Sequence, residues 1–148
     1  MTYWTATRLI VIMHAPTPLT PVKECILNPS ETVIALLTAI AERREADALA
    51  LVDKDVVWQP LARPGLTFYR GHSDFCLMIK DLHNAYGQMR VEINEIEATE
   101  VIGDIRVRVL ATVIRETKEG DLPLPTSQII YTLKNGLVTG MEANLYES

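Results

Sequence analysis

From Met89 to Tyr146 apolar residues return at every second position, interrupted only by turn chemistry, and this run of consecutive strands most restricts the fold. Met89, Val91 and Ile93 alternate with Arg90, Glu92 and Asn94, the period of a strand with one buried face. The apolar set then moves to Ile96 and Ala98, which predicts a β-bulge near Asn94–Glu95. Gly103-Asp104 makes a turn. The next strand carries Ile105, Val107, Val109, Ala111 and Val113 on one face, and Leu110 and Ile114 on the other. A polar loop is expected from Glu116 to Pro125, then a strand over Thr126–Lys134. Asn135-Gly136 is a type I′ hairpin signal, because both central residues of that turn need positive φ. The last strand runs from Leu137 to Tyr146.

The segment before this run has helical spacing. Asn28, Pro29 and Glu31 form an N-terminal capping signature, and Val33, Leu36, Leu37, Ile40 and Ala41 follow on one face. A second short helix carries Leu49, Ala50 and Val52, and a strand is expected from Val56 to Leu61. Residues 62–70 read as a loop. A third helix is predicted over Ser73–Tyr86, capped by His72 or Ser73, with Phe75, Met78, Ile79 and Leu82 as its buried stripe and Gly87 as its stop. The order α-α-β-α-β-β-β-β is an α+β fold, and its simplest packing is a long curved sheet wrapped around the helices.

The chain has 148 residues, enough for one domain with its own core. Four of its eight prolines (Pro16, Pro18, Pro21 and Pro29) crowd one stretch, so residues 1–27 read as an extension and linker, and 28–148 as the domain. Fourteen basic against nineteen acidic residues give a net charge of −5, which argues against nucleic acid as a partner. Two cysteines, Cys25 and Cys76, make neither a disulfide scaffold nor a zinc motif. Leu9–Met13 is too short an apolar run for a membrane span or a secretory signal, so a cytoplasmic protein without a membrane partner is expected. Asp53, Asp55, Asp74 and Asp81 lack metal-ligand spacing, and no phosphate loop or nucleophile elbow occurs; neither a metal nor a cofactor is expected.

Three patterns carry a resemblance. Glu45-Ala46-Asp47-Ala48-Leu49-Ala50-Leu51 runs into Asp55-Val56-Val57-Trp58; Tyr69-Arg70-Gly71-His72 opens a helix; Asn135-Gly136-Leu137-Val138 lies near the end. In this order and spacing, residues 28–148 resemble the nuclear transport factor 2-like superfamily, particularly its SnoaL-like branch of polyketide cyclase and ketosteroid isomerase-like proteins. The resemblance implies a cystatin-like cone, a bent antiparallel sheet around three N-terminal helices, enclosing a deep, mostly apolar pocket. Function varies within the superfamily and must be argued from the site.

Carried onto this sequence, the isomerases' general-base aspartate falls at Gln59, before Pro60. Their acidic hydrogen-bond donor falls at Gln128, counted back from Gly136, and their first-helix tyrosine at Ala35. An amide cannot take a proton near neutral pH, so carboxylate-based isomerase chemistry is not expected. Where the epoxide hydrolases pair an arginine with an aspartate, this chain has Arg106 and Arg108. The resemblance places Trp58, Gln59, Tyr69, Met78, Leu82, Gln128, Ile130 and Met141 around a ligand, with Thr132 facing inward beside Gln128 and Ile130. His83, His72 and Tyr69 are the catalytic candidates; helix capping, a satisfied core histidine and ring packing are their ordinary alternatives. Three functions remain open: a cofactor-independent isomerase, cyclase or hydrolase acting on a small hydrophobic molecule; a non-catalytic binder of such a molecule; and a module that pairs as a homodimer through the outer sheet face.

Overall fold

A computed structural model describes residues 3–5, 28–60 and 68–146. The described residues form three helices, α1 (Pro29–Ala41), α2 (Glu45–Leu49) and α3 (Gly71–Tyr86). The strands are β1 (Tyr3–Thr5), β2 (Val52–Gln59), β3 (Tyr69–Arg70), β4 (Met89–Val101), β5 (Asp104–Thr117), β6 (Gly120–Pro123), β7 (Ser127–Lys134) and β8 (Leu137–Leu145). The strand order is β1-β4-β5-β7-β8-β2-β3, with β6 also paired to β5. Among the described residues every pairing is antiparallel except β2 with β8, which joins the early strand to the late ones. The fold is α+β, a curved, unclosed sheet around the helices.

Local chemistry explains the helix ends. Asn28 Oδ1 accepts from the Glu31 amide at 3.0 Å, and Glu31 Oε1 accepts from the Asn28 amide at 3.0 Å, a complete capping box. At the other end of α1 the Arg43 amide donates to Ile40 O (3.2 Å) and the Arg44 amide to Ala39 O (2.8 Å). These two bonds form a Schellman motif that holds Arg43 at φ +59°, where glycine is usual. Helix α3 starts at Gly71, two residues earlier than expected, and neither His72 nor Ser73 caps it. Its N-cap is Arg70, which has no side-chain cap, while Asp74 Oδ2 accepts from the Arg70 amide at 3.0 Å. Gly87 ends the helix at φ +69°.

In the sheet, Asn135 (φ 54°) and Gly136 (φ 82°) form the expected hairpin, and the register of β4 against β5 shifts between Ile93 and Glu95, at the expected bulge. The segment read as a polar loop, 116–125, is instead largely a hairpin: Thr117 pairs with Gly120, and Ile114 with Pro123. All four residues of β6 are exposed, so no apolar pattern marks it. Strand β2 starts at Val52, ahead of Val56, because its first half exposes Lys54 and Asp55. Tyr3, Trp4 and Thr5 pair with Thr99, Ala98 and Glu97 at the outer edge of β4. The remainder of the 1–27 extension lies outside the described residues.

The core lies between the helices and the concave sheet face. Val33, Leu36 and Ile40 of α1 and Phe75, Met78 and Ile79 of α3 meet Val107, Val109, Tyr131, Leu133 and Val138. Fully burying an aliphatic or aromatic side chain of this kind stabilises the fold by about 1.5–3 kcal/mol.

Candidate functional site

The pairings Val107–Tyr131, Tyr131–Met141, Met141–Trp58 and Trp58–Tyr69 define one row across the concave face. Phe75 of α3 packs edge-on against Trp58, with ring centroids 5.0 Å apart, and Tyr131 meets the same indole at 5.9 Å. Trp58 and Met78 are buried in this core, and Leu82, Tyr69 and Met141 pack against it. The Tyr69 hydroxyl donates to Asp81 Oδ2 at 3.0 Å. Tyr131 is fully buried, and its hydroxyl has no hydrogen-bond partner among the described residues. Burial pushes that hydroxyl's pKa well above the ordinary tyrosine value.

Gln59, Gln128 and Ile130 stand on the opposite, convex face. Gln128 pairs with Leu110, Ile130 with Arg108, and Thr132 with Arg106, one residue out of phase with inward Val107, Val109 and Tyr131. The expectation that Gln128, Ile130 and Thr132 face inward is therefore corrected. Gln128 Oε1 accepts from Arg108, 3.5 Å away, and Arg108 also binds Glu95 (2.9 Å) and Glu97 (3.5 Å). Gln59, Ile130 and Glu142 line a convex groove of about 510 Å³, which Met141 also borders. An aspartate at position 59 would thus sit outside the cone.

His72 Nε2 donates to Val52 O at 3.1 Å and ties the start of α3 to β2. His83 occupies a different setting. It is 7% exposed, and its Nε2 lies 2.7 Å from Ile40 O, a carbonyl that can only accept, so this nitrogen carries the proton. His83 lines a cleft of about 760 Å³ between the C-terminal ends of α1 and α3 and the first half of β4. Leu37, Ala41, Met89, Val91 and Ile93 supply its apolar surface; Glu42, Arg43, Arg90 and Glu116 supply its charge. Four residues along β5 separate Val107, beside Tyr131, from Ala111, beside Ile93, which is roughly 13 Å at about 3.3 Å per residue. The cleft and the Trp58 cluster are therefore two parts of one concave side.

Sequence reasoning singled out His83 but missed Tyr131 and the cleft's use of Arg43 and Met89. A signal for Tyr131 existed: Ile129, Tyr131 and Leu133 are a more apolar alternate set than Gln128, Ile130 and Thr132. Among the described residues, no cluster of three or more His, Cys, Asp or Glu could hold a metal ion, and no helix is long and apolar enough to cross a membrane.

No protein-family model matches the sequence, and no curated protein matches it. Solved structures do. Aln2 from a Streptomyces species superposes with a TM-score of 0.68 at 16% identity, over 88% of this chain and 93% of that one. A Catenulispora acidiphila protein solved in complex with S-DNPA gives 0.68 at 15% identity, over 78% and 89% of the two chains. A Novosphingobium aromaticivorans protein described as nuclear transport factor 2-like with a cystatin-like fold gives 0.68 at 14% identity, over 97% and 88%. The helices, the curved sheet and these superpositions agree: this chain has the fold of the nuclear transport factor 2-like proteins.

Proposed function

We propose that the cleft beside His83 binds a small, mostly apolar molecule without the help of a cofactor. The cleft carries this reading: its volume of about 760 Å³ falls within the usual range for small-molecule sites, Leu37, Ala41, Met89, Val91 and Ile93 give it an apolar wall, and the buried His83 shares its lining with Glu42, Arg43, Arg90 and Glu116. The Catenulispora acidiphila protein supports it, because a protein of this fold was solved in complex with a ligand, S-DNPA. Binding is the function; if proton transfer accompanies it, His83 is the residue for the task. With Nε2–H committed to Ile40 O, a neutral ring has its lone pair on Nδ1, the nitrogen that can accept a proton.

Fluorescence titration with β-naphthol tests the reading. Saturable one-to-one binding is expected, and Ala41→Trp, which fills the cleft from α1, should abolish it. Absence of saturable binding, or binding indifferent to Ala41→Trp, would overturn the assignment. A second reading, assembly of two copies through the convex face, draws on the groove around Ile130 and Val57. Leu110 and Ile114, which also belong to that face, are already buried within one chain, so the pairing surface is the groove itself. Light scattering at micromolar concentration should give the mass of a dimer, and Ile130→Arg that of a monomer. A monomeric wild type would remove this reading.

A further inference from the structure

The charges around the cleft do not cancel evenly. Glu42 Oε1 accepts from Arg44 Nε at 2.9 Å, so its carboxylate is already paired. Arg90 binds Glu116 and Asp121, each at 3.0 Å, and lies 3.8 Å from Glu92. Arg43 has no ion pair and no side-chain hydrogen bond among the described residues, and it is exposed at the cleft's edge. An unpaired guanidinium beside an aliphatic surface is notable in a chain of net charge −5. Its backbone adds a second, independent observation. Arg43 occupies the left-handed end of the Schellman motif at φ +59°, a position that glycine fills without steric cost and a long side chain does not. Residues held in such conformations often serve function rather than stability.

We infer that the cleft selects an amphipathic monoanion, a small molecule with one carboxylate on an apolar body, and that Arg43 holds the carboxylate. The inference rests on the cleft being the ligand site. The planar guanidinium presents parallel N–H donors that match two carboxylate oxygens, and an ammonium cannot reproduce that fork. Leu37, Ala41 and Met89 receive the apolar body. Arg90, the other guanidinium of the cleft, is already shared among Glu92, Glu116 and Asp121, which leaves Arg43 as the one without a carboxylate among the described residues.

The test compares β-naphthoate with β-naphthol, two probes of the same ring system that differ in charge at neutral pH. Hydrogen bonds to a charged group make the naphthoate bind wild type about 10-fold tighter or more. In Arg43→Gly the preference disappears, while the melting temperature holds or rises because glycine relieves the left-handed backbone. In Arg43→Lys part of the preference returns. Equal binding of both probes to wild type would overturn the inference and leave the cleft as a site for neutral molecules. A naphthoate preference that persists in Arg43→Gly would overturn the role of Arg43. Failure of both probes to bind would overturn the cleft assignment and the inference with it.

Discussion

Replacing Tyr131 by phenylalanine removes one oxygen from a ring that is otherwise enclosed. The hydroxyl is fully buried and has no hydrogen-bond partner among the described residues. Leaving a buried polar group unpaired costs about 1–3 kcal/mol, whereas the ring's contacts with Trp58, Val107 and Met141 survive the substitution. Allowing for the small void left by the oxygen, Tyr131→Phe should stabilise the protein by about 1–2 kcal/mol. For a chain of this length that is a rise of roughly 2–8 °C in Tm. Urea unfolding followed by tryptophan fluorescence should show a higher midpoint and an unchanged slope. The alkaline limb gives an independent measure. Burial raises the folded-state pKa above the ordinary value of 10.0, so this tyrosine's contribution is present below about pH 10 and is lost as the pH rises toward its folded value. Tyr131→Phe should flatten that loss. Destabilisation by the variant, or an unchanged alkaline limb, would refute the reasoning and show that the hydroxyl is satisfied in solution.

Asn28→Ala breaks both bonds of the capping box and should lower stability by about 1 kcal/mol, measured by urea unfolding. Desolvation, and secondarily the charge of Glu45, push the Cys76 thiol pKa up. In a Cys25→Ser background, Cys76 should react with a disulfide reagent at pH 8 several-fold more slowly than a free thiol, and Glu45→Gln should speed it slightly. A chain starting at Leu27 should keep one cooperative thermal transition, because the capping box begins the domain by itself and β1 is a three-residue edge strand; calorimetry would show it. Neither wild type nor Gln59→Asp should isomerise a β,γ-unsaturated ketosteroid in an absorbance assay, since position 59 faces the convex groove.

What was legible in the sequence was local chemistry. The Asn28–Glu31 box, the bulge before Glu95 and the Asn135-Gly136 turn each depend on a few neighbouring residues and occur where those residues place them. The inward face of β7 departs from the expectation because Gln128 is reached there by a family count from Gly136, whereas the strand's own apolar set, Ile129, Tyr131 and Leu133, is the one that packs inward. Strand β6 was invisible because all four of its residues are exposed, and hydrophobic period reports only burial. His83 could be read as lying near an apolar stripe, but its acceptor, Ile40 O, belongs to another helix, and no local pattern reveals so distant a partner. The cleft is hidden for the same reason: α1, α3 and β4 meet only in the folded chain.

The parallel seam between β2 and β8 also sets an order of events. Val52 pairs with Val138 and Trp58 with Met141, so β2 has no neighbour on that side until β8 has been made. During synthesis the helices and β2 emerge first, with Trp58 and Phe75 already in sequence but without the strands that enclose them. Contacts this far apart in sequence close late and slowly, and the exposed apolar face is open to wrong partners in the meantime. A ribosome that stalls before residue 137 therefore leaves the helices and β2 without the strand that joins them to β4–β7, a substrate for chaperones rather than a smaller version of the fold.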